Sequence, residues 1–391
     1  MKRILIYADA DLNLIDGSAV WLASLTEMLS GEETFFVDVL LKRRLERDLL
    51  VHHLIDHPRV RFLCPWGLAE SDLELRVLLE RFGDVRLDVL MASELILRLH
   101  QESAYDRILI RGAGILAHLS AVSEIANIGI AYVTNPNAYT DWGQHQELVS
   151  IHRQFDTTFC QTELARKAII ELLGPDANLG RIDILNPMVP DANFDLPLGR
   201  KRIRMALGYS GKFSPPYMIE EMLEAHRRIR QTRPDATLHV IGDKFHNRPY
   251  VEGFEERVRA SLQEEAGVHW HGGVGREEAN RLVSEMEVAS GWRDPSFDST
   301  VEMSTKVLEY AALGIPVLMR PARVQRDIFD DDLPIWVTSE DTFVDAYTAL
   351  IEDAELRRST AERMREAVRE YSFSSTLSRL RHHFADSGGA S

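Results

Sequence analysis

Residues 303–321 read MSTKVLEYAALGIPVLMRP, and this stretch decides how the rest of the chain is read. Ser304 is a good N-cap, because a serine hydroxyl accepts from the free amides of a first helical turn. Ala311 and Ala312 allow close packing, Gly314 stops the helix, and Pro316 enters the next strand, PVLMRP. A helix feeding a strand in this way is the unit of a parallel sheet. Glu309 stands out, a lone glutamate in a small and apolar setting. Its bland reading is a pair with Lys306 across one turn, worth about 0.2–0.5 kcal/mol. Such a pair does not require an apolar setting.

The same alternation runs outward from this segment. In the first half RILIYA (3–8), FFVDVLL (35–41), VRFL (60–63), RILIR (107–111), GIAYVT (129–134), TTFCQT (157–162) and RIDIL (181–185) read as strands, with helical patterns such as VWLASLTEML (20–29) between them. NPMVPDANFDLPLGRK (186–201), with three prolines and little periodicity, reads as a linker. The pattern then restarts: IRMALGYSG (203–211), TLHVIGD (237–243), VHWHGG (268–273), VASGW (288–292), PVLMRP and IWVT as strands, helices between, then one long amphipathic helix (342–371) and a basic last segment. Strands that recur with intervening helices predict two α/β halves, each a parallel sheet buried on both faces.

Bulk properties agree. A chain of 391 residues suits two domains. With 45% hydrophobic and 27% charged residues the composition is that of a soluble globular protein. No apolar run reaches the roughly 18 residues of a membrane span, and the N-terminal apolar run breaks at Asp9 and Asp11, as a first strand does. Two cysteines, Cys64 and Cys160, exclude a disulfide framework and a multi-cysteine zinc site. A net charge of −16 excludes nucleic acid as partner, because neutralising phosphates takes a basic face.

Ligands of such sheets sit at the carboxyl ends of the strands, where helix N-termini offer amides to anions. Three loops there carry candidate residues. Gly17 and Ser18 precede a helix and allow close backbone approach to a phosphate or sugar, although tight turns use glycine anyway. After Gly211, Lys212 is placed for a diphosphate as a point charge; its bland reading is a solvated lysine. At Ser304, the amides near Thr305 and Lys306 favour an anion by about 0.3–1 kcal/mol. Glu309, one turn in, suits vicinal hydroxyls, since an ionised carboxylate accepts two hydrogen bonds at once. An anion at the mouth and a diol acceptor below it describe a nucleotide.

The order YSGKFSPPY…TLHVIGD…VHWHGGV…DPSFDSTVEMSTKVLEYAALGIPVL resembles the C-terminal half of GT-B glycosyltransferases, specifically retaining glycosyltransferase family 4 of the cell-surface polysaccharide type. GKF matches the place of that family's Gly-Arg-Leu loop, and TKVLEYAALGIPVL its Glu-Ala-Met-Ala-x-Gly-x-Pro-Val signature, over residues 205–330. The resemblance implies an α/β, GT-B fold: two Rossmann-like domains with parallel sheets facing across a cleft. Residues 1–195 would be the acceptor-side domain, 196–371 the donor domain, and 372–391 a helix and tail crossing back. It assigns Glu309 to the donor ribose, Lys212 beside Gly211 to the diphosphate, Ser304–Thr305 to phosphate or sugar oxygens with Lys306 adding charge, and Gly273–Val274 to the base. Three positions depart from the family. Val301 stands where the first glutamate belongs, with Glu302, the candidate catalytic residue, one step off; Pro216–Tyr217 replace a lysine; and neither His118 nor His145 clearly matches the first domain's histidine.

The function implied is retaining transfer of a hexose-type sugar from a nucleotide-diphosphate-sugar to a hydroxyl on a saccharide or lipid-linked saccharide, in polysaccharide or glycoconjugate biosynthesis. No cofactor and no metal are expected, because the site's own cations meet the diphosphate. Closure of the two domains about the linker would exclude water. The expected location is cytoplasmic, with peripheral association at the inner face of a membrane left open. A GT-B phosphorylase would want a basic cluster near Gly17, which is absent from the sequence there. A catalytically silent GT-B subunit that binds nucleotide-sugar or scaffolds a partner is the rival of another class.

Overall fold

The computed structural model describes residues 1–82 and 86–385; the final residues of the expected tail, 386–391, lie outside the described residues. Contacts divide the chain into two units, residues 1–14, 18–187 and 374–391, and residues 15–17 and 188–373.

The first unit is built on seven strands: β1 (Lys2–Ala8), β2 (Phe35–Leu40), β3 (Val60–Leu63), β4 (Arg107–Arg111), β5 (Gly129–Val133), β6 (Thr157–Cys160) and β7 (Ile182–Ile184). They pair in the order β3-β2-β1-β4-β5-β6-β7, and every pairing is parallel. The central strands carry apolar side chains on both faces, so Ile4, Leu5, Ile6, Ile108, Leu109 and Ile110 are all fully buried. The second unit has five strands, β8 (Ile203–Ser210), β9 (Thr237–Ile241), β10 (Val268–Trp270), β11 (Met286–Ser290) and β12 (Val317–Leu318). Their order is β10-β9-β8-β11-β12, again all parallel. In each sheet the winding reverses direction once, between β1 and β4 and between β8 and β11. Those reversals open the crevices in which doubly wound sheets bind ligands.

Four details differ from the sequence reading. The expected strand at Ile335 is reduced to one bridge, Met319 with Trp336. The strand at Val268 ends at Trp270, whose indole Nε1 donates to the Gly242 carbonyl at 2.8 Å. The long helix breaks into Glu340–Glu352 and Ala354–Ala367, because the Asp353 carboxylate caps the second piece by accepting from the amides of Glu355 and Leu356. The apolar periodicity continues on both sides of this cap and hides it. Residues 188–195 cluster with the second unit: Val189 N–H donates to Tyr371 O at 2.8 Å, and Phe373 N–H to Val189 O at 2.9 Å. Among the described residues, no helix is long and apolar enough to cross a membrane.

Candidate functional site

Three side chains from separate parts of the second unit converge at its reversal point. Lys212 follows β8, Arg293 follows β11, and Lys306 lies in the first turn of the helix Thr305–Ala312. Tyr217 is their common neighbour: its ring centre lies 4.8 Å from Lys212 Nζ, 5.2 Å from Arg293 Cζ and 5.3 Å from Lys306 Nζ. Arg293 also sits 4.8 Å over Phe297, and Lys306 Nζ 4.0 Å over Tyr209. Ring faces attract cations, each contact contributing about 0.5–2 kcal/mol, so the aromatics partly offset the crowding of three like charges. Among the described residues, none of the three cations is in an ion pair or donates a hydrogen bond, and Arg293 Nε is buried without a partner. Burial, then Arg293, then Lys212 push the Lys306 ammonium well below its ordinary pKa, against the pull of Glu309. A cluster of unpaired basic side chains at a strand-end crevice has the chemistry to hold an anion.

The backbone around it is tightly held. Tyr310 Oη accepts from Ser210 N–H at 2.7 Å and donates to Ser210 O at 3.2 Å, fixing the end of β8 to the helix. Tyr209 Oη donates to Lys212 O at 2.6 Å and closes the loop. Gly211 is required here: φ is +143°, and a Cβ would stand 2.7 Å from Lys306 Nζ. Gly242 is bound even more closely, since a Cβ on it would lie 2.1 Å from Gly211 O.

The helix mouth corrects one expectation. Ser304 occupies the N-cap with extended backbone, but its hydroxyl makes no capping bond. Ser304 is 2% exposed and its Oγ is buried without a partner. The amides near Thr305 and Lys306 therefore keep their donors uncapped by any side chain, and Ser304 adds a further buried polar group beside them. Both features suit a ligand rich in acceptor oxygens.

Glu309 does not pair with Lys306. Its partner is Arg276, the first residue of the helix Arg276–Ser284, which donates from Nε at 3.1 Å and Nη2 at 2.8 Å, both to Oε1. The two side chains are 13% and 8% exposed. Oε2 receives neither bond, so the carboxylate is held in place with accepting capacity to spare. Gly273 and Val274 lie in the loop just before Arg276, partly buried; the loop is tied to β9 by the Gly242 N–H to Gly272 O bond at 2.7 Å. Glu302 is exposed in the loop ahead of Ser304, where its N–H donates to Thr300 Oγ1 at 3.1 Å.

The first unit has its own crevice. A cavity of about 180 Å³ lies at the ends of β1, β4 and β5, lined among others by Asp9, Arg111, Tyr132, Thr134, Asn135 and Tyr139. Asp9 is in an ion pair with Lys42. Arg111 Nη2 donates to Ser18 Oγ at 2.9 Å, and its guanidinium lies 5.3 Å over Trp21, which stacks on Tyr132 at 4.6 Å. Gly17 and Ser18 open the helix Gly17–Gly31; Ser18 belongs to this unit, whereas Gly17 clusters with the second. His118 is exposed on a short helix and His145 Nε2 meets Leu172 O at 2.7 Å; neither lines the cavity.

The structure thus brings Gly211, Lys212, Thr305, Lys306, Ser304 and Glu309 together, places Tyr217, read from sequence only as a replaced lysine, among them, and adds Arg293, Arg276 and Tyr310, which sequence reading missed. Arg293 had a usable signal, since WRDPSF follows a strand end as Lys212 does.

With this geometry in view the fold has known counterparts: two Rossmann-like α/β domains of this kind make up the GT-B glycosyltransferase fold, which is the fold of this chain. HepE of Anabaena, solved with UDP and glucose, covers 98% of this chain and 99% of its own at TM-score 0.67 and 13% identity. TarM of S. aureus, solved with fondaparinux, alpha-GlcNAc-glycerol and UDP, covers 99% and 100% at TM-score 0.70 and 11% identity. Sucrose-phosphate synthase of Thermosynechococcus elongatus covers 98% of each chain at TM-score 0.66 and 15% identity. Residues 219–381 match the family model described as glycosyl transferase-like. No curated protein matches the sequence.

Proposed function

We propose that the protein is a glycosyltransferase that moves a hexose-type sugar from a nucleotide-diphosphate-sugar to a hydroxyl acceptor with retention at the anomeric carbon, in polysaccharide or glycoconjugate biosynthesis. The observation that carries this reading is the cluster of Lys212, Arg293 and Lys306 around Tyr217, three basic side chains in no ion pair among the described residues. As the bond from the anomeric carbon to the diphosphate breaks, charge develops on the departing oxygens, and fixed cations and helix amides stabilise it without reorganising. The acceptor oxygen bonds to the same face of that carbon, and its proton passes to the departing β-phosphate oxygen. Glu309, steadied by Arg276, takes the ribose hydroxyls, and Gly273–Val274 borders the base. The built-in cations supply the charge for which other sites recruit a divalent ion. The Asp9–Asn135 cavity, with its carboxylate, amide and tyrosines, has the chemistry to hold a saccharide acceptor. UDP is the first donor base to try, since it is the nucleotide named with HepE and TarM. The reading carries a cytoplasmic location and, for a lipid-linked acceptor, association with the membrane's inner face.

The test is a thermal-shift panel of UDP, GDP, ADP, dTDP and CMP with and without sugar, followed by transfer assays in which NMR reports the anomer. Absence of any nucleoside-diphosphate shift sinks the reading. One observation favours a second reading, a silent subunit that binds donor without turnover: Val301 holds the first glutamate's place and Glu302 is exposed. Binding with no transfer and no donor hydrolysis selects it.

A further inference from the structure

We infer that Asp183, His382 and His383 form a divalent-metal site of the first unit, with Zn²⁺ the best-suited ion. Asp183 sits in β7, and the two histidines in the last turn of the helix Phe373–Ala385. One ligand atom from each lies within 4.8 Å of the others, and among the described residues this is the group of histidine, cysteine and carboxylate side chains that converges so closely. Zinc takes imidazole nitrogen and carboxylate oxygen at about 2.0–2.2 Å, so small side-chain rotations close the three onto one ion, with water from the solvent side as fourth ligand.

Two of the three ligands are already oriented. Asp183 Oδ1 accepts from Ile184 N–H at 2.7 Å, leaving Oδ2 to face His383 Nε2 at 2.9 Å. His383 Nδ1 lies 3.4 Å from Thr157 Oγ1, and Phe159 meets its ring edge-on at 4.9 Å. The Thr157 hydroxyl, by accepting from Nδ1, would keep the proton there and free Nε2 for a metal. The ion would sit between Nε2 and Asp183 Oδ2, which now meet directly. A plain ion pair fastening the helix explains Asp183 and His383 but not His382, which is exposed, makes no hydrogen bond among the described residues and still holds its ring 3.9 Å from that of His383. Two imidazoles this close repel when charged; a shared divalent ion turns their proximity into coordination. Occupancy would clamp the C-terminal helix onto β6 and β7, and so stabilise the first unit by mass action.

Untagged full-length chain, stripped with a chelator, is titrated with ZnCl₂ by calorimetry, and its Tm is read with and without the metal. The expected result is one Zn²⁺ per chain and a Tm rise that EDTA reverses. His382→Ala, which disturbs no bond, and Asp183→Asn, which keeps a hydrogen-bond acceptor beside His383, should each weaken binding at least tenfold. Absence of saturable binding, or equal affinity in wild type and both variants, overturns the inference. Neither result bears on nucleotide binding, so the two readings stand or fall separately.

Discussion

The two strand-end crevices are built on the same topology and differ in how their charges are used. In the first unit Asp9 is matched by Lys42, and Arg111 is tied to Ser18 and laid over Trp21. In the second unit Lys212, Arg293 and Lys306 have aromatic rings for company and, among the described residues, no ion-pair partner. A protein does not gather unpaired cations without a stability cost, so the contrast supports the proposed reading of a charged ligand in the second crevice and a neutral, hydroxyl-rich one in the first. Identical winding does not make the two crevices equivalent; the charge balance at the strand ends tells them apart.

The comparison can be broken most forcefully at Glu309. Glu309→Ala removes the buried ion pair with Arg276, and a lowered urea midpoint is expected together with a marked loss of nucleotide affinity. Glu309→Gln, which still accepts from Arg276, should keep more of the stability and still bind nucleotide more weakly than the wild type; wild-type affinity in that variant would return the pair to a purely structural role. Lys306→Met comes next, with a loss of nucleoside-diphosphate affinity on the order of 100-fold and little change in Tm. In the wild type the same affinity should rise as pH falls, because Lys306 has a lowered pKa and must gain its proton to meet the diphosphate. A pH-independent affinity contradicts that account.

Stability of the second unit follows the opposite rule. Burial holds His226 and His239 near a pKa of about 4, with Arg230 and His269 opposing the charge on His226, and His269 and His271 that on His239. Their neutral forms are the ones that fit, so this stability is complete above the unfolded value near 6.5 and is lost as pH falls toward 4. His226 alone contributes about 2–3 kcal/mol of that loss, and His226→Leu should flatten the profile measured by urea melts. The smallest effect belongs to Asp9→Asn, expected to raise the acceptor KM severalfold and leave donor affinity untouched. A shift in donor affinity instead would erase the distinction between the crevices.

The sequence made the helix at Thr305 legible because its punctuation is local: Ser304 opens it and Gly314, at φ +71°, closes it. Likewise β3 could be read residue for residue, since an apolar run between turn signals has few alternatives. Arg293 and Arg276 were not legible as partners. What brings Arg293 near Lys212 is the pairing of β11 with β8, strands separated by two complete strand-and-helix repeats, and nothing in the local pattern encodes it. Glu309 was singled out for its apolar setting, but its partner lies 33 residues back across another helix. Periodicity reports which face is buried; it does not report who meets whom there.

The adjacency of β8 and β11 has one more consequence. Lys212 and Arg293 follow the carboxyl ends of two hydrogen-bonded neighbours, whose backbones run about 4.8 Å apart. Loop mutations can swap the tips for other side chains, but they cannot stretch that interval. The sheet therefore acts as a ruler of charge, and substitutions in the loops change the tips far more easily than the spacing beneath them.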